Sequence, residues 1–164
     1  MPNKVTYLVE EEMNTVYDVI LSEIKKSKYN LASGIAENGG LDITPNLVFG
    51  NLDPNAGHMG KVNMSAVNIS SAEKQCKLVL KRINGLTYKI HTGGVIGFTI
   101  LTLITVGVYT STYSQEFQWE ILLLPLFGLF YLLVFHVLMG ITISNTKIRI
   151  LKILTDNKIS YKKQ

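Results

Sequence analysis

His136 is the one histidine within either of the two longest apolar runs of this chain. Counted inward from the centres of those runs, it lies at the depth of Thr99 and Thr102, which with Thr105 set hydroxyls at three-residue spacing on one helix side. A histidine opposite hydroxyls in an apolar setting has two uses. It relays protons, which takes a series of ionisable groups, or it makes one interhelical hydrogen bond worth well under ~2 kcal/mol. Only one such group is available, so an interhelical polar contact among His136, Thr99 and Thr102 is expected.

The other chemical candidates are weaker. The loop Asn51 to Gly60 carries Asp53, Asn55 and His58, but His58 stands where a calcium loop needs glycine and Met64 where it needs glutamate. Two ligands on a Gly/Pro loop do not make a transition-metal site, so no metal is expected. Cys76 is the single cysteine and sits among apolar neighbours, which suits a core position better than a nucleophile. There is no phosphate-cradling glycine motif, no nucleophile elbow and no paired metal-ligand spacing. The expectation is a protein that is not an enzyme and has no cofactor.

The cations suggest a different chemistry. Lys81, Arg82 and Lys89 precede the first apolar run, and Lys147, Arg149 and Lys152 follow the second. Near a membrane surface such groups contact anionic lipid heads at about 1 kcal/mol apiece. The net charge of +4 is not gathered into a dense basic tract, so nucleic acid is not expected as a partner.

The elements that position these residues follow from the charge pattern. No Asp, Glu, Lys or Arg falls between Lys89 and Glu116 or between Glu120 and Lys147, which leaves two uncharged stretches of 26 residues each. Either exceeds the roughly 20 apolar residues that a helix needs to cross a bilayer. The reading is a transmembrane helical hairpin over 93–143, with spans at about 94–112 and 121–143 and an outer loop at 113–120 edged by Tyr109, Tyr113, Phe117 and Trp119. Gly93 and Gly97 form a G-x-x-x-G, a weak signal for self-association. The loop has Glu116 and Glu120 but no cation, so the positive-inside rule puts both termini in the cytoplasm.

Residues 1–92 read as a cytoplasmic α+β domain, one amphipathic helix on a small antiparallel sheet. Val5 to Val9 form a first strand. Val16, Tyr17, Ile20, Leu21 and Ile24 give one apolar helix face, entered at Asn14 or Thr15. An extended Tyr29 to Ser33, a turn at Glu37 to Gly40 and alternation at Leu41, Ile43, Leu47 and Phe49 follow, with Pro45 favouring an edge or bulge. Val62, Met64 and Ala66 alternate, and a bulge would carry the shift to Val67 and Ile69. Residues 71–84 fit two patterns, a helix begun by the Ser70 to Glu73 capping box or a strand turning at Asn84-Gly85 into Leu86 to Ile90. The strand is favoured because the helix needs a sheet to cover. Residues 144–164 read as a cytoplasmic juxtamembrane helix, continuing or restarting and packing back on the sheet, with a frayed tail from Asp156.

The strand, helix, antiparallel strands and final helix are loosely similar to small helix-on-sheet lipid-binding modules, a likeness of fold alone. The expected protein is a two-span integral membrane protein whose cytoplasmic domain is a non-enzymatic binding or interaction module. Its partners are the lipid bilayer and one of three others: a protein, a second copy of the chain, or an apolar ligand between helix and sheet. The competing expectation is an accessory subunit of a transporter or channel acting through the hairpin. Abundant asparagine, isoleucine and lysine suggest an AT-rich genome and a bacterial plasma membrane.

Overall fold

The structure, a computed structural model, describes residues 3–37, 39–45, 60–70, 74–113 and 123–164. In chain order these form β1 (Lys4–Val9), α1 (Met13–Lys25), β2 (Leu31–Ile35), β3 (Leu41–Pro45), β4 (Gly60–Ser70), β5 (Gln75–Asn84), α2 (Leu86–Tyr113), α3 (Leu123–Asp156) and β6 (Tyr161–Lys163). The expectations for Leu47, Phe49, most of the loop Asn51 to Gly60, the capping box at 71–73 and the outer loop with Phe117 and Trp119 lie outside the described residues.

Alternation builds one antiparallel sheet in the order β2-β3-β4-β5-β1-β6. Along β5, Cys76, Leu78 and Leu80 are buried, opposite Val9, Tyr7 and Val5 of β1. Met64 and Ala66 of β4 meet Leu80 and Leu78 from the other side, and Leu41 of β3 lies opposite Met64. Residues 75–84 are therefore strand. The β2–β3 turn closes through Gly39, whose φ of +74° suits glycine, and Ala36 donates its N–H to Gly40 at 2.9 Å. Pro45 ends β3, an interior strand, and lies beyond the residues of β3 that pair with β4. The bulge in β4 comes later than the residue pattern suggested, between Asn68 and Ser70. Val67 needs no phase shift, because it occupies the exposed face in ordinary register opposite Lys77.

Two helices cover the inner face. α1 buries Val16, Ile20 and Ile24, a spacing of four that puts them on one side. It starts at Met13, and its cap comes from the sheet: Met13 donates its N–H to Oδ1 of Asn68, at 2.9 Å. The second cover is the C-terminal part of α3, where Met139, Ile143, Ile150, Ile153 and Leu154 join the core. Each such side chain contributes on the order of 1.5–3 kcal/mol when fully buried. The helix runs on from the apolar segment without restarting, and its buried part begins at Met139, inside the stretch 93–143.

Three local outcomes differ from the sequence pattern. Asn84-Gly85 makes no hairpin into a further strand; Gly85 instead accepts the N–H of Lys89 at 3.2 Å as α2 begins. At the end of α3, Lys158 takes φ +61°, Lys158 donates to Thr155 and Ile159 donates to Leu154, a Schellman closure. The tail beyond it is not frayed. β6 pairs with β1, and Tyr161 meets Tyr7 edge to face at 5.7 Å.

α2 and α3 are each long and apolar enough to cross a membrane. They run antiparallel: His91 meets Tyr131, Tyr88 meets Phe135, and a Cβ on Gly128 would stand 3.1 Å from Val95. Thr92, Val95, Thr99, Thr102, Val106 and Thr110 are half-buried along α2, while Leu101, Phe127 and Phe130 are 63, 68 and 65% exposed.

Candidate functional site

Two tyrosine–histidine pairs join the apolar helices toward the end where those helices meet the sheet. Tyr88 and His136 share a hydrogen bond of 2.6 Å through the phenol oxygen and Nδ1. A second such pair, Tyr131 and His91, lies at 3.2 Å, and Phe135 stacks against Tyr88, His91 and Tyr131. Thr99 and Thr102 are not brought to His136. Their hydroxyls donate to Val95 and Phe98 of their own helix, at 2.8 and 2.9 Å. The difference is one of stagger. Centring α3 on its uncharged run put His136 opposite Thr99, but the sheet claims that run from Met139 onward, which brings His136 to Tyr88, eleven residues earlier on α2, or about 16 Å along the axis.

Directly below this belt, a cleft of about 200 Å³ opens between α3 and the strands β1 and β5. β5 supplies Arg82 on its helix-facing side, in register with Val62 of β4. The Arg82 Nε donates to Oδ1 of Asn84 at 2.9 Å, and the guanidinium lies 5.9 Å from the Tyr88 ring centroid. α3 supplies Gly140, Ser144 and Lys147, and β1 supplies Val5 and Tyr7. Lys147 lies on the stretch of α3 that packs on the sheet, beyond the part paired with α2. Burial, and then the neighbouring Arg82 cation, hold the Lys147 amine below its usual range. Two cations in one half-buried apolar cleft repel each other and lose hydration, and a bound anion relieves both costs.

The remaining cations expected at lipid have other positions. Arg149 donates to the carbonyls of Tyr29 and Asn30, both at 3.3 Å, and so ties α3 to the turn after α1. Lys81 is exposed opposite Lys4 and Asn63, on the sheet face away from the helices. Lys89 and Lys152 are exposed as well. Arg82 and Lys147 are thus the pair that the fold brings together out of the six.

Cys76 is fully buried, and burial, with Glu11 nearby, pushes its thiol above the usual range, away from nucleophilic use. Among the described residues, no three His, Cys, Asp or Glu side chains gather as metal ligands. On the outer face of the sheet, Asp42 is buried and accepts from Asn63 Nδ2 at 2.8 Å and from Lys61 Nζ.

Tyr88, as the partner of His136, and the Arg82–Lys147 pairing had no local signal in the sequence. The first depends on helix stagger and the second joins residues that are 65 positions apart.

No family model matches the chain, and no curated protein or solved structure is similar to it.

Proposed function

We propose that this chain is a two-span integral membrane protein whose α+β domain lies on the cytoplasmic side and acts as a non-enzymatic binding module. The observation that carries the reading is where the core residues come from. β1 to β5 precede α2, while the second half of α3 and β6 follow it, yet both groups form one sheet and one core. Both flanks must then occupy one side of a bilayer, so α2 and α3 cross it outward and back. Their outward surfaces are exposed Leu, Ile and Phe, which water does not favour and acyl chains do. Cations on the domain side of each helix, against Glu116 and Glu120 in the connecting loop, favour a cytoplasmic domain. A bacterial plasma membrane suits the composition.

Binding is favoured over chemistry by the cleft, which offers cations, hydroxyls and apolar walls without a nucleophile beside a base. The topology is tested with single cysteines in a Cys76→Ser background, using a membrane-impermeant maleimide on intact cells. Labelling at Thr112→Cys but not at Lys163→Cys is expected. Labelling at Lys163→Cys, or release of the chain from membranes by alkaline carbonate, would refute the reading.

A further inference from the structure

We propose that the cleft between α3 and the β1–β5 strands holds the phosphate of an anionic phospholipid, with Arg82 and Lys147 as its cationic contacts. The inference rests on the membrane reading above and adds the chemical class of the ligand.

Four features of the cleft converge on that ligand. Arg82 arrives oriented, since its Nε donates to Asn84 and its guanidinium lies over the Tyr88 ring, and an oriented guanidinium suits a phosphate better than a mobile one. Lys147 adds a second charge, Tyr7 and Ser144 are hydroxyl-bearing neighbours, and no carboxylate lines the cleft among the described residues. The volume, about 200 Å³, falls below the ~300–1,000 Å³ of pockets that enclose whole ligands, so it suits a headgroup whose chains remain outside.

The fourth feature is the exit. A Cβ built on Gly140 meets nothing within 4 Å, which leaves an open notch in the cleft wall. Beside it Val137 and Ile141 are about half exposed and lead along α3 to the apolar surface shared with α2. Acyl chains lying on that surface and a phosphate seated between Arg82 and Lys147 describe one amphiphile. Inorganic phosphate would satisfy the cations and leave the apolar approach unused.

The test uses the full chain in mild detergent, with bound lipid read by native mass spectrometry after exposure to phosphatidylglycerol or phosphatidylcholine. Phosphatidylglycerol is expected to be retained preferentially. Retention should fall about tenfold or more in Arg82→Gln/Lys147→Gln, since each charged contact is worth a large part of a decade or more. It should be unchanged in Lys25→Gln/Lys77→Gln, which removes the same charge outside the cleft. Gly140→Leu keeps both cations and fills the notch, so it should also weaken retention, and it decides the matter if the double variant does not fold.

Equal retention of the two lipids, equal loss in the Lys25/Lys77 variant, or full displacement by millimolar inorganic phosphate would overturn the proposal. A chain that resists carbonate and labels as expected but shows no lipid preference fails this inference alone. A chain that carbonate releases fails the membrane reading.

Discussion

Met139 of α3 occupies the space that a side chain at Gly60 would take. A Cβ built on Gly60 collides with Met139 Cε and stands 3.3 Å from Ile143 Cδ1, so α3 passes directly over the first residue of β4. A methionine tip can move aside for one methyl group, but not for a branched side chain backed by Ile143. Gly60→Val is expected to cost about 1–3 kcal/mol by overpacking. Met139→Ala in the same chain should recover part of that loss, a non-additivity read from a double-mutant cycle of thermal unfolding. Additive losses would mean the two positions do not compete for space.

Asp42 is a buried carboxylate that accepts from Lys61 and Asn63 on the outer sheet face. Removing it leaves the partly buried Lys61 ammonium without its carboxylate. Asp42→Ala is expected to destabilise the domain by about 3 kcal/mol, and Lys61→Met by less, because the lysine stem is partly exposed and Asn63 still serves the carboxylate. Urea unfolding followed by circular dichroism measures both.

Lys158 closes α3 with a left-handed backbone that glycine adopts without steric cost. Its side chain is exposed. Lys158→Gly should therefore raise stability by up to about 1 kcal/mol, the usual left-handed penalty for a residue bearing a Cβ. A lowered melting temperature would show that the lysine side chain contributes something the backbone geometry does not reveal.

Tyr29 donates its hydroxyl to Asp156 at 2.7 Å, and Lys28 lies 3.7 Å from the same carboxylate. That hydrogen bond first, and Lys28 after it, hold the Asp156 carboxyl below its ordinary value. A carboxyl lowered in the folded state stabilises above its unfolded pKa of about 3.9, and the contribution is lost as pH falls through the folded value. The tether between α3 and the α1–β2 turn should thus persist from neutral pH to about pH 4 and weaken below it. In Tyr29→Phe the Asp156 carboxyl should titrate at higher pH, as followed by carbon NMR of labelled aspartate.

The helix α1 could be anticipated because Val16, Ile20 and Ile24 recur every four residues, and β5 because Cys76, Leu78 and Leu80 alternate. Both patterns are local and repeat several times. The hairpin expected at Asn84-Gly85 failed because that dipeptide also opens a helix, and the choice was made by α2 running through Leu86 to Tyr113. β6 has three residues, too few for periodicity, and its partner β1 is more than 150 positions away. The site was illegible for the same reason. Nothing near Arg82 in the chain points to Lys147, and the depth of His136 depended on how much of α3 the sheet would bury.

α3 carries one further consequence. Its 34 residues form a single rod of about 51 Å, and the residues buried against the sheet, Met139, Ile143, Ile150 and Leu154, continue the side that faces α2 through Gly128, Leu132 and Phe135. Turning the rod by one residue, about 100°, would swing Ile150 and Leu154 out of the core. The end packed on the sheet therefore sets the azimuth of the far end. On the proposed membrane reading, the side chains that the helix shows to lipid are decided by the fit of isoleucines against the sheet at its other end.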